Sequence, residues 1–378
     1  MKHHLAPLFD GHDDVQAEID RRPPDTADHA AATRRIIGTY HPARLALTVS
    51  AVIAEGPSTV TLRLRLPDGT DLPPFLAGQY VALFADGTSR PYAISSSPAR
   101  PGHWDLTVRR VPGGLISNHL ADTVKAGDTL VTTGPMGTFH HNPLFHGDDV
   151  VFLAGGSGVA PAMSMIRDIV DHGLDRHFHL LYGSRSADDI LFREELDALA
   201  ADHPNIRVDH VVTEAGPGWA GPTGFLTASL IETLAGPLDG RMVYVCGPQA
   251  LYPYALTQLA ELGHPPRRIR FEANGAPADP TTQPHWPTDT APYAEVTVTA
   301  RGRSFRTRRG RPLLDALEDA GIRPEAACRS GGCSLCRVRV VKGTVHTAEE
   351  ARLRLSDEKF GYTHSCVAYP ITDVELDV

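Results

Sequence analysis

The fold is decided by the stretch Cys328-Arg329-Ser330-Gly331-Gly332-Cys333-Ser334-Leu335-Cys336, which spaces three cysteines as Cys-x4-Cys-x2-Cys. A fourth cysteine, Cys366, follows after 29 intervening residues, and the chain of 378 residues has five cysteines in all. So few cysteines in a chain of this length do not make a disulfide scaffold. We therefore expect reduced thiolates that bind metal.

The spacing of the four cysteines matches the pattern of plant-type two-iron two-sulfur (2Fe-2S) sites. A zinc ribbon and unrelated buried cysteines are the alternatives, but a ribbon normally has two Cys-x2-Cys knuckles and this chain has one. Small side chains between the cysteines would leave backbone N–H groups free to donate to sulfur. The sequence therefore predicts a 2Fe-2S cluster bound by Cys328, Cys333, Cys336 and Cys366.

The residues before the cysteines predict two strands, 294–300 and 302–308, and a helix over 312–320. This order of strand, strand, helix, ligand loop and distant fourth ligand resembles a plant-type ferredoxin domain. The resemblance implies an α+β (β-grasp) fold for the C-terminal part of the chain.

The rest of the chain is too long for one hydrophobic core, which predicts a multidomain protein. Short alternating runs over 45–139 are typical of an antiparallel β-barrel, and continuous apolar strands with intervening helices over 149–272 predict an α/β domain with a parallel sheet. The predicted boundaries are an N-terminal arm at 1–41, the barrel at 42–146, the parallel-sheet domain at 147–272, a linker at 273–292 and the cluster domain at 293–378.

Composition excludes several classes of partner. With 45 acidic and 36 basic residues the net charge is -9, so we expect no nucleic-acid binding. The longest apolar run, 150–166, is interrupted by glycines and a proline, and we expect no membrane association. The start of the chain lacks the apolar core of a secretory signal, so we expect a cytoplasmic protein.

Two segments of the barrel point to a flavin. Arg90-Pro91-Tyr92-Ala93-Ile94-Ser95-Ser96 lies on a predicted strand, and Gly114-Leu115-Ile116-Ser117-Asn118 begins a predicted helix. An arginine can fork two hydrogen bonds to phosphate, a tyrosine can lie against an isoalloxazine ring, and a helix N-terminus attracts pyrophosphate. Together the segments resemble the flavin site of the ferredoxin-NADP reductase superfamily.

The resemblance assigns roles to individual residues. It implies that Arg90 and Ser117 hold phosphate with the helix start at Gly114, Leu115 and Ile116, and that Tyr92 packs on the ring. It also implies that Thr107, Val108 and Arg109 line the flavin with backbone and side-chain contacts. Ala93 stands where the family usually has Ser or Thr near flavin N5, so that hydrogen bond must come from elsewhere or be absent. The segment 134–139 resembles members that bind FAD, with Phe139 against the adenine; FMN is the alternative.

A glycine-rich turn after the first parallel strand, with Gly156, Ser157 and Gly158, predicts a site for a nicotinamide dinucleotide. Cys246, Gly247 and Pro248 end another apolar strand and by resemblance border the same cofactor; a buried structural thiol is the alternative for Cys246. Ser184 and Arg185 resemble residues near the adenosine ribose. We favour NADH over NADPH.

The domain order flavin, nucleotide, cluster is similar to the reductase components of multicomponent oxygenases and demethylases. The resemblance implies an NAD(P)H:acceptor oxidoreductase that divides the hydride electron pair into single electrons for a protein such as an oxygenase, a haem-thiolate monooxygenase or a corrinoid protein. A monomer is expected. The alternatives are a diaphorase that reduces a small acceptor and a redox-sensing module whose flavin site has decayed, as Ala93 would indicate.

Overall fold

The computed structural model describes residues 11–22, 29–40, 44–85, 87–272, 275–277, 279–349 and 351–378. The chain divides into two compact units, 1–39 and 40–378. The first unit contains helix α1 (His12–Arg21), and helix α2 (His29–Tyr40) begins within it. The boundary predicted at residue 41 stays a prediction.

A closed antiparallel barrel begins the second unit. Its strands and its helix are β1 (Leu45–Gly56), β2 (Thr59–Arg65), β3 (Tyr80–Ala85), β4 (Thr88–Ala93), β5 (Trp104–Arg109), α3 (Leu115–Asp122) and β6 (Thr129–Thr132). The strand order is β4-β3-β6-β1-β2-β5, and a bridge between Ile94 and Leu106 joins the two ends of the sheet. Alternate residues such as Leu62, Leu64 and Leu106 are fully buried inside the barrel.

A five-stranded parallel sheet follows the barrel. Its elements are β7 (Asp149–Gly155), α4 (Val159–His172), β8 (His177–Ser184), α5 (Arg193–Asp202), β9 (Ile206–Val212), α6 (Ala228–Ala235), β10 (Met242–Cys246), α7 (Leu251–Glu261) and β11 (Ile269–Phe271). The strand order is β11-β10-β7-β8-β9, so the chain changes direction between β7 and β10. Ligands of open parallel sheets bind at the carboxyl ends of the strands at such a switch point.

The C-terminal domain is built on a mixed sheet. Its elements are β12 (Glu295–Ala300), β13 (Arg303–Arg308), α8 (Leu313–Asp319), β14 (Arg337–Lys342), β15 (Val345–Thr347), α9 (Leu355–Lys359), β16 (Tyr362–His364), β17 (Ala368–Pro370) and β18 (Val374–Asp377). The main sheet has the order β13-β12-β18-β14-β16, with β12 and β18 parallel. Leu313 and Leu317 of α8 pack against Val298 of this sheet. The predicted fold class, with its barrel, parallel sheet and β-grasp domain, is confirmed.

The segment predicted as a linker packs on the cluster domain through one aromatic side chain. Trp286 is only 9% exposed, and its ring meets those of His346 and Tyr369 edge-on at 5.2 and 5.9 Å. The Tyr369 hydroxyl also donates to the Pro277 carbonyl at 3.3 Å. The boundaries 273 and 292 stay predictions, but these contacts tie the segment to the cluster domain.

We expect Trp286→Ala to destabilise the cluster domain by about 3 kcal/mol, because truncation of a buried tryptophan leaves a cavity. The denaturant midpoint for loss of cluster absorbance should fall. Tyr293→Ala, which alters a side chain 75% exposed in the same region, is the control and should leave the midpoint unchanged. Equal midpoints for Trp286→Ala and the wild type would show that this contact is dispensable.

Candidate functional site

One large cavity, of about 1240 Å³, lies between the barrel, the carboxyl edge of the parallel sheet and the cluster domain. Its lining brings together segments that are far apart in sequence. The predicted cofactor residues on its wall are Arg90, Tyr92, Ala93, Thr107, Arg109, Gly114, Leu115, Ile116, Ser117, Gly156, Ser157, Gly158, Ser184, Arg185, Cys246, Gly247 and Pro248. Cys366 lines the same cavity.

The start of α3 provides a cradle for phosphate. A Cβ atom on Gly114 would meet the Ser117 hydroxyl at 2.4 Å, so the turn admits no side chain there. The Ser117 hydroxyl accepts from the Val111 N–H at 3.2 Å and thereby fixes the turn. The first N–H groups of a helix have no partner within the helix and attract anions.

Arg90 on β4 adds positive charge to this wall of the cavity. Burial lowers the pKa of its guanidinium, and the charge of Arg329 lowers it further. A cation held under these conditions is stabilised by an added anion. The residues present therefore fit a flavin phosphate between Arg90 and the start of α3.

Tyr92 and Ala93 of β4 line the cavity where the sequence predicts the flavin ring. Burial raises the pKa of the Tyr92 phenol, so the ring is neutral and suited to lie against a planar apolar group. Ala93 contributes only a methyl group to the cavity wall. The hydroxyl that the family usually has at this position is missing from this chain.

The three residues expected from β5 differ in what they contact. The Thr107 hydroxyl is bonded to those of Thr61 and Ser95, each at 3.0 Å, although Thr107 also lines the cavity. Val108 is fully buried in the barrel core and is absent from the described cavity lining, so its side chain does not face the site. The side chain of Arg109 pairs with Asp189 of the parallel-sheet domain.

Phe139 was expected against an adenine, and this expectation is wrong. Its ring lies in the core of the parallel-sheet domain, edge-on to Phe152 at 5.8 Å and to Tyr244 at 5.2 Å. The sequence could not separate the two positions, because a buried phenylalanine and one that stacks on a ligand have the same local pattern.

Glycines line the part of the cavity predicted to bind the nicotinamide, called the nicotinamide wall below. A Cβ atom on Gly158 would lie 2.1 Å from the Cys246 carbonyl oxygen, and one on Gly156, at φ +52°, would lie 2.5 Å from the Arg109 guanidinium. The turn after β7 and the end of β10 therefore approach at backbone distance, as dinucleotide sites require. Burial raises the pKa of the Cys246 thiol, which is neutral in this setting.

The far end of the cavity has features of an adenosine site. The guanidinium of Arg185 pairs with Glu214 at 2.9 Å. Phe225, 69% exposed, lies 6.1 Å from Tyr254, and both rings line the cavity. An exposed and a half-buried aromatic side chain beside Arg185, the arginine predicted to lie near the ribose, fit a purine base. Sequence reasoning missed Glu214, Phe225 and Tyr254.

Glu272, at the end of β11, is a further site residue that sequence reasoning missed. Its Oε2 atom is buried and has no hydrogen-bond partner among the described residues. Burial raises the pKa of the carboxyl to about 8, with a further contribution from the Cys328 charge. The carboxyl is therefore predominantly protonated at neutral pH. Its position at the carboxyl end of a parallel strand was the available signal.

The four predicted ligand cysteines come together at the edge of the cavity. The Cys328 thiol lies within hydrogen-bonding reach of Cys333 and Cys366, and that of Cys336 within reach of Cys366. These bonds hold the pKa of Cys328 well below its usual range. No set of three His, Cys, Asp or Glu side chains in the described ranges converges on a single-ion site.

Backbone donors surround these sulfurs. The N–H groups of Ser330 and Cys333 donate to the Cys328 sulfur at 3.4 Å each, and that of Gly331 donates to the Cys366 sulfur at 3.2 Å. Tyr80 of the barrel also lies within hydrogen-bonding reach of Cys328, a contact the sequence gave no signal for. Thiolates with backbone donors fit a cluster whose bridging sulfides are anionic.

Comparisons with known proteins agree with this geometry. Residues 46–141 match the oxidoreductase FAD-binding domain, residues 152–256 the oxidoreductase NAD-binding domain, and residues 296–370 the 2Fe-2S iron-sulfur cluster binding domain. The glycine betaine monooxygenase reductase subunit of Pseudomonas aeruginosa is 31% identical over 322 residues, which cover 80% of this chain and 87% of the relative. The chain belongs to the ferredoxin-NADP reductase superfamily.

Two further comparisons extend over most of the reductase. The stachydrine N-demethylase reductase subunit of Rhizobium meliloti is 27% identical and covers 85% of this chain and 93% of its own. The structure of phthalate dioxygenase reductase is 25% identical, with a TM-score of 0.63, and covers 89% of this chain and 98% of its own.

The family establishes the cofactors and the class of reaction. The chain is an NAD(P)H-dependent oxidoreductase that uses FAD and a 2Fe-2S cluster. A bound flavin accepts a hydride and releases electrons singly, which the protein alone cannot do. The residues described above bind and orient these groups. None of the helices in the described part of the chain has the length and apolar composition needed to cross a bilayer.

We expect Cys333→Ser to lose most of its iron and the visible absorbance of the cluster, because a cluster needs four thiolates. Its flavin should still be bleached by NADH. Cys246→Ser, which leaves the four predicted ligands in place, should retain the wild-type iron content. Iron analysis and visible spectra of both variants measure the result, and full iron occupancy in Cys333→Ser would exclude this residue as a ligand.

Proposed function

We propose that the reductase uses NADH and passes single electrons from its cluster to a separate oxygenase or demethylase component. The observation that carries this proposal is the unequal burial of the four predicted ligand cysteines. Cys366 faces the cavity that it shares with the flavin-site residues. Cys333, by contrast, does not line this cavity and is partly exposed between exposed Gly332 and Leu335.

This arrangement provides an entry side and an exit side for electrons. A small acceptor could react within the cavity and would need no outward-facing loop. An exposed leucine beside a partly exposed ligand is what a docking protein contacts, because apolar side chains at the centre of an interface exclude water. The geometry thus favours a protein acceptor over the diaphorase alternative.

The names of the relatives support an oxygenase or demethylase over other partners. Glycine betaine monooxygenase and stachydrine N-demethylase each use a reductase subunit similar to this chain over at least four-fifths of its length. The structure of an Amycolatopsis cytochrome P450 reductase, 30% identical over 61% of this chain, also supports a haem-thiolate monooxygenase, while a corrinoid protein remains a prediction from the domain order alone. Reduced thiolates in a metal site also support a cytoplasmic location, while a monomer stays a prediction.

The charge around Arg185 supports NADH. A 2′-phosphate at this position would meet the Glu214 carboxylate, which is already bonded to the guanidinium at 2.9 Å. Both side chains are exposed, so the pair itself adds little stability. The negative charge of Glu214 would repel the 2′-phosphate of NADPH. The uncharged 2′-hydroxyl of NADH would not be repelled.

We expect Glu214→Gln to raise kcat/KM for NADPH about tenfold, equal to 1.4 kcal/mol, since Arg185 is then free to pair with the 2′-phosphate. The value for NADH should change little. Steady-state flavin reduction with each nucleotide measures the ratio, and Glu232→Gln, an exposed carboxylate on α6, is the control. A wild-type enzyme that prefers NADPH would refute the nucleotide assignment.

The acceptor is tested by reconstitution with the oxygenase component encoded nearest to this reductase. The wild type should support NADH-dependent product formation, and Leu335→Asp should slow transfer to the oxygenase about tenfold while ferricyanide reduction is unchanged. Leu355→Asp is the control, since Leu355 is 87% exposed in the same domain but outside the ligand loop. Fast turnover of quinones with no reduction of any oxygenase would favour the diaphorase.

A further inference from the structure

The residue after the first ligand cysteine has a conformation and burial that its sequence position does not explain. Arg329 has φ +54°, in the left-handed region that side-chain-bearing residues rarely adopt. It is also only 7% exposed, although arginine is seldom buried without partners. Both features indicate that the surrounding contacts hold this side chain in place.

The Arg329 side chain leaves its own domain and bonds to the flavin strand β4. Its Nε donates to the Ser89 carbonyl at 2.8 Å and its Nη2 to the Thr88 hydroxyl at 2.5 Å. Glu318 on α8 neutralises the guanidinium, with one bond of 3.0 Å. The Ser89 hydroxyl donates back to the Ala326 carbonyl at 2.6 Å, so the interface has polar contacts in both directions.

The same two acceptors also bind the arginine predicted to hold flavin phosphate. Nη1 of Arg90 donates to the Ser89 carbonyl at 2.7 Å and to the Thr88 hydroxyl at 3.2 Å. One carbonyl and one hydroxyl therefore connect the cluster ligand loop to the phosphate-binding side chain. A shift of Arg329 would therefore move the Ser89 carbonyl and the Thr88 hydroxyl, which also accept hydrogen bonds from Arg90.

The barrel and the cluster domain also meet through the Tyr80–Cys328 contact, an exposed bond of 2.6 Å from Arg352 Nη1 to the Thr138 hydroxyl, and contacts that involve no buried charge. The ion pair of Arg44 with Glu325 is 3.6 Å long and exposed, and such pairs contribute little. Gly87 packs so closely on Arg323 that a Cβ atom would lie 1.5 Å from its Nη1 atom, which fixes shape without a buried charge. The contacts of Arg329 are buried and charge-assisted, and these are the strong class.

We propose that Arg329 is a positioning residue that fixes the cluster ligand loop against β4 and thereby sets the separation between the flavin site and the cluster. The transfer between them depends on this separation, while hydride transfer to the flavin takes place at the nicotinamide wall. The inference rests on the cofactors of the family and is independent of which protein finally receives the electrons.

The test compares Arg329→Asn, Glu318→Gln and a control, Arg339→Asn, in the holoenzyme. Asparagine tolerates a positive φ, so the first variant removes the guanidinium without adding backbone strain. Glu318→Gln lies outside the ligand loop and loosens Arg329 while the cluster is retained. Arg339 is an exposed arginine on β14 of the same domain.

Anaerobic stopped-flow mixing with NADH follows flavin bleaching and cluster bleaching as separate phases. The rate of the cluster phase relative to the flavin phase should fall at least about tenfold in Arg329→Asn, since removal of one partner of a buried charged pair costs that much or more. It should fall by a smaller factor in Glu318→Gln and stay unchanged in Arg339→Asn.

Hydrogen–deuterium exchange gives a readout independent of electron transfer. Segments 87–93 and 326–333 should exchange at least about tenfold faster in Arg329→Asn. The proposal would be overturned if Arg329→Asn has full iron content and also shows wild-type exchange rates and a wild-type ratio of the cluster phase to the flavin phase. If Arg329→Asn loses its cluster, wild-type values in Glu318→Gln would overturn it instead.

Discussion

Negative charge that must be stabilised by backbone N–H groups is the constraint shared by all three cofactor sites. The flavin phosphate, the dinucleotide pyrophosphate and the bridging sulfides are all anionic, and each faces a turn where side chains would block approach. Gly114, Gly158 and Gly331 illustrate this, because a Cβ atom on any of them would lie within 3 Å of another atom. Glycines therefore occupy the turns at the sites predicted to bind these anionic groups.

Arginines connect the domains around the cavity. Arg109 pairs with Asp189, Arg167 bonds to Glu195 and to the Ser95 carbonyl, and Arg329 reaches β4 from the cluster domain. Because a guanidinium has five donors in a fixed plane, it can bond to a carboxylate of its own domain and a carbonyl of the next at once. Such contacts fix geometry more than they add stability, since desolvation offsets much of the attraction between buried charges.

Features of the fold and site that are encoded by residues close together in sequence could be predicted, and features that depend on contacts between domains could not. The cysteine spacing, the segment 90–96 and the glycine turn after β7 are short motifs, and Cys366, residues 90–93 and the glycine turn line one cavity. Phe139 was misjudged, and Tyr80 and Glu272 were missed, because their surroundings depend on which domain packs beside them. Fold class was predictable for the same reason as the motifs, since strand periodicity is local.

The presence of Ala93 does not by itself support the alternative that the flavin site has lost its function. Decay would remove selection on the residues predicted to bind the phosphate and the ring, yet Arg90 and Tyr92 still line the cavity and the turn at Gly114 still excludes a side chain. The cavity also retains a polar group at the carboxyl edge, because burial raises the pKa of Glu272 to about 8 and its protonated carboxyl can donate a hydrogen bond. One missing hydroxyl therefore changes the polarity of a site whose other binding elements are intact, and the chain keeps the architecture of a working reductase.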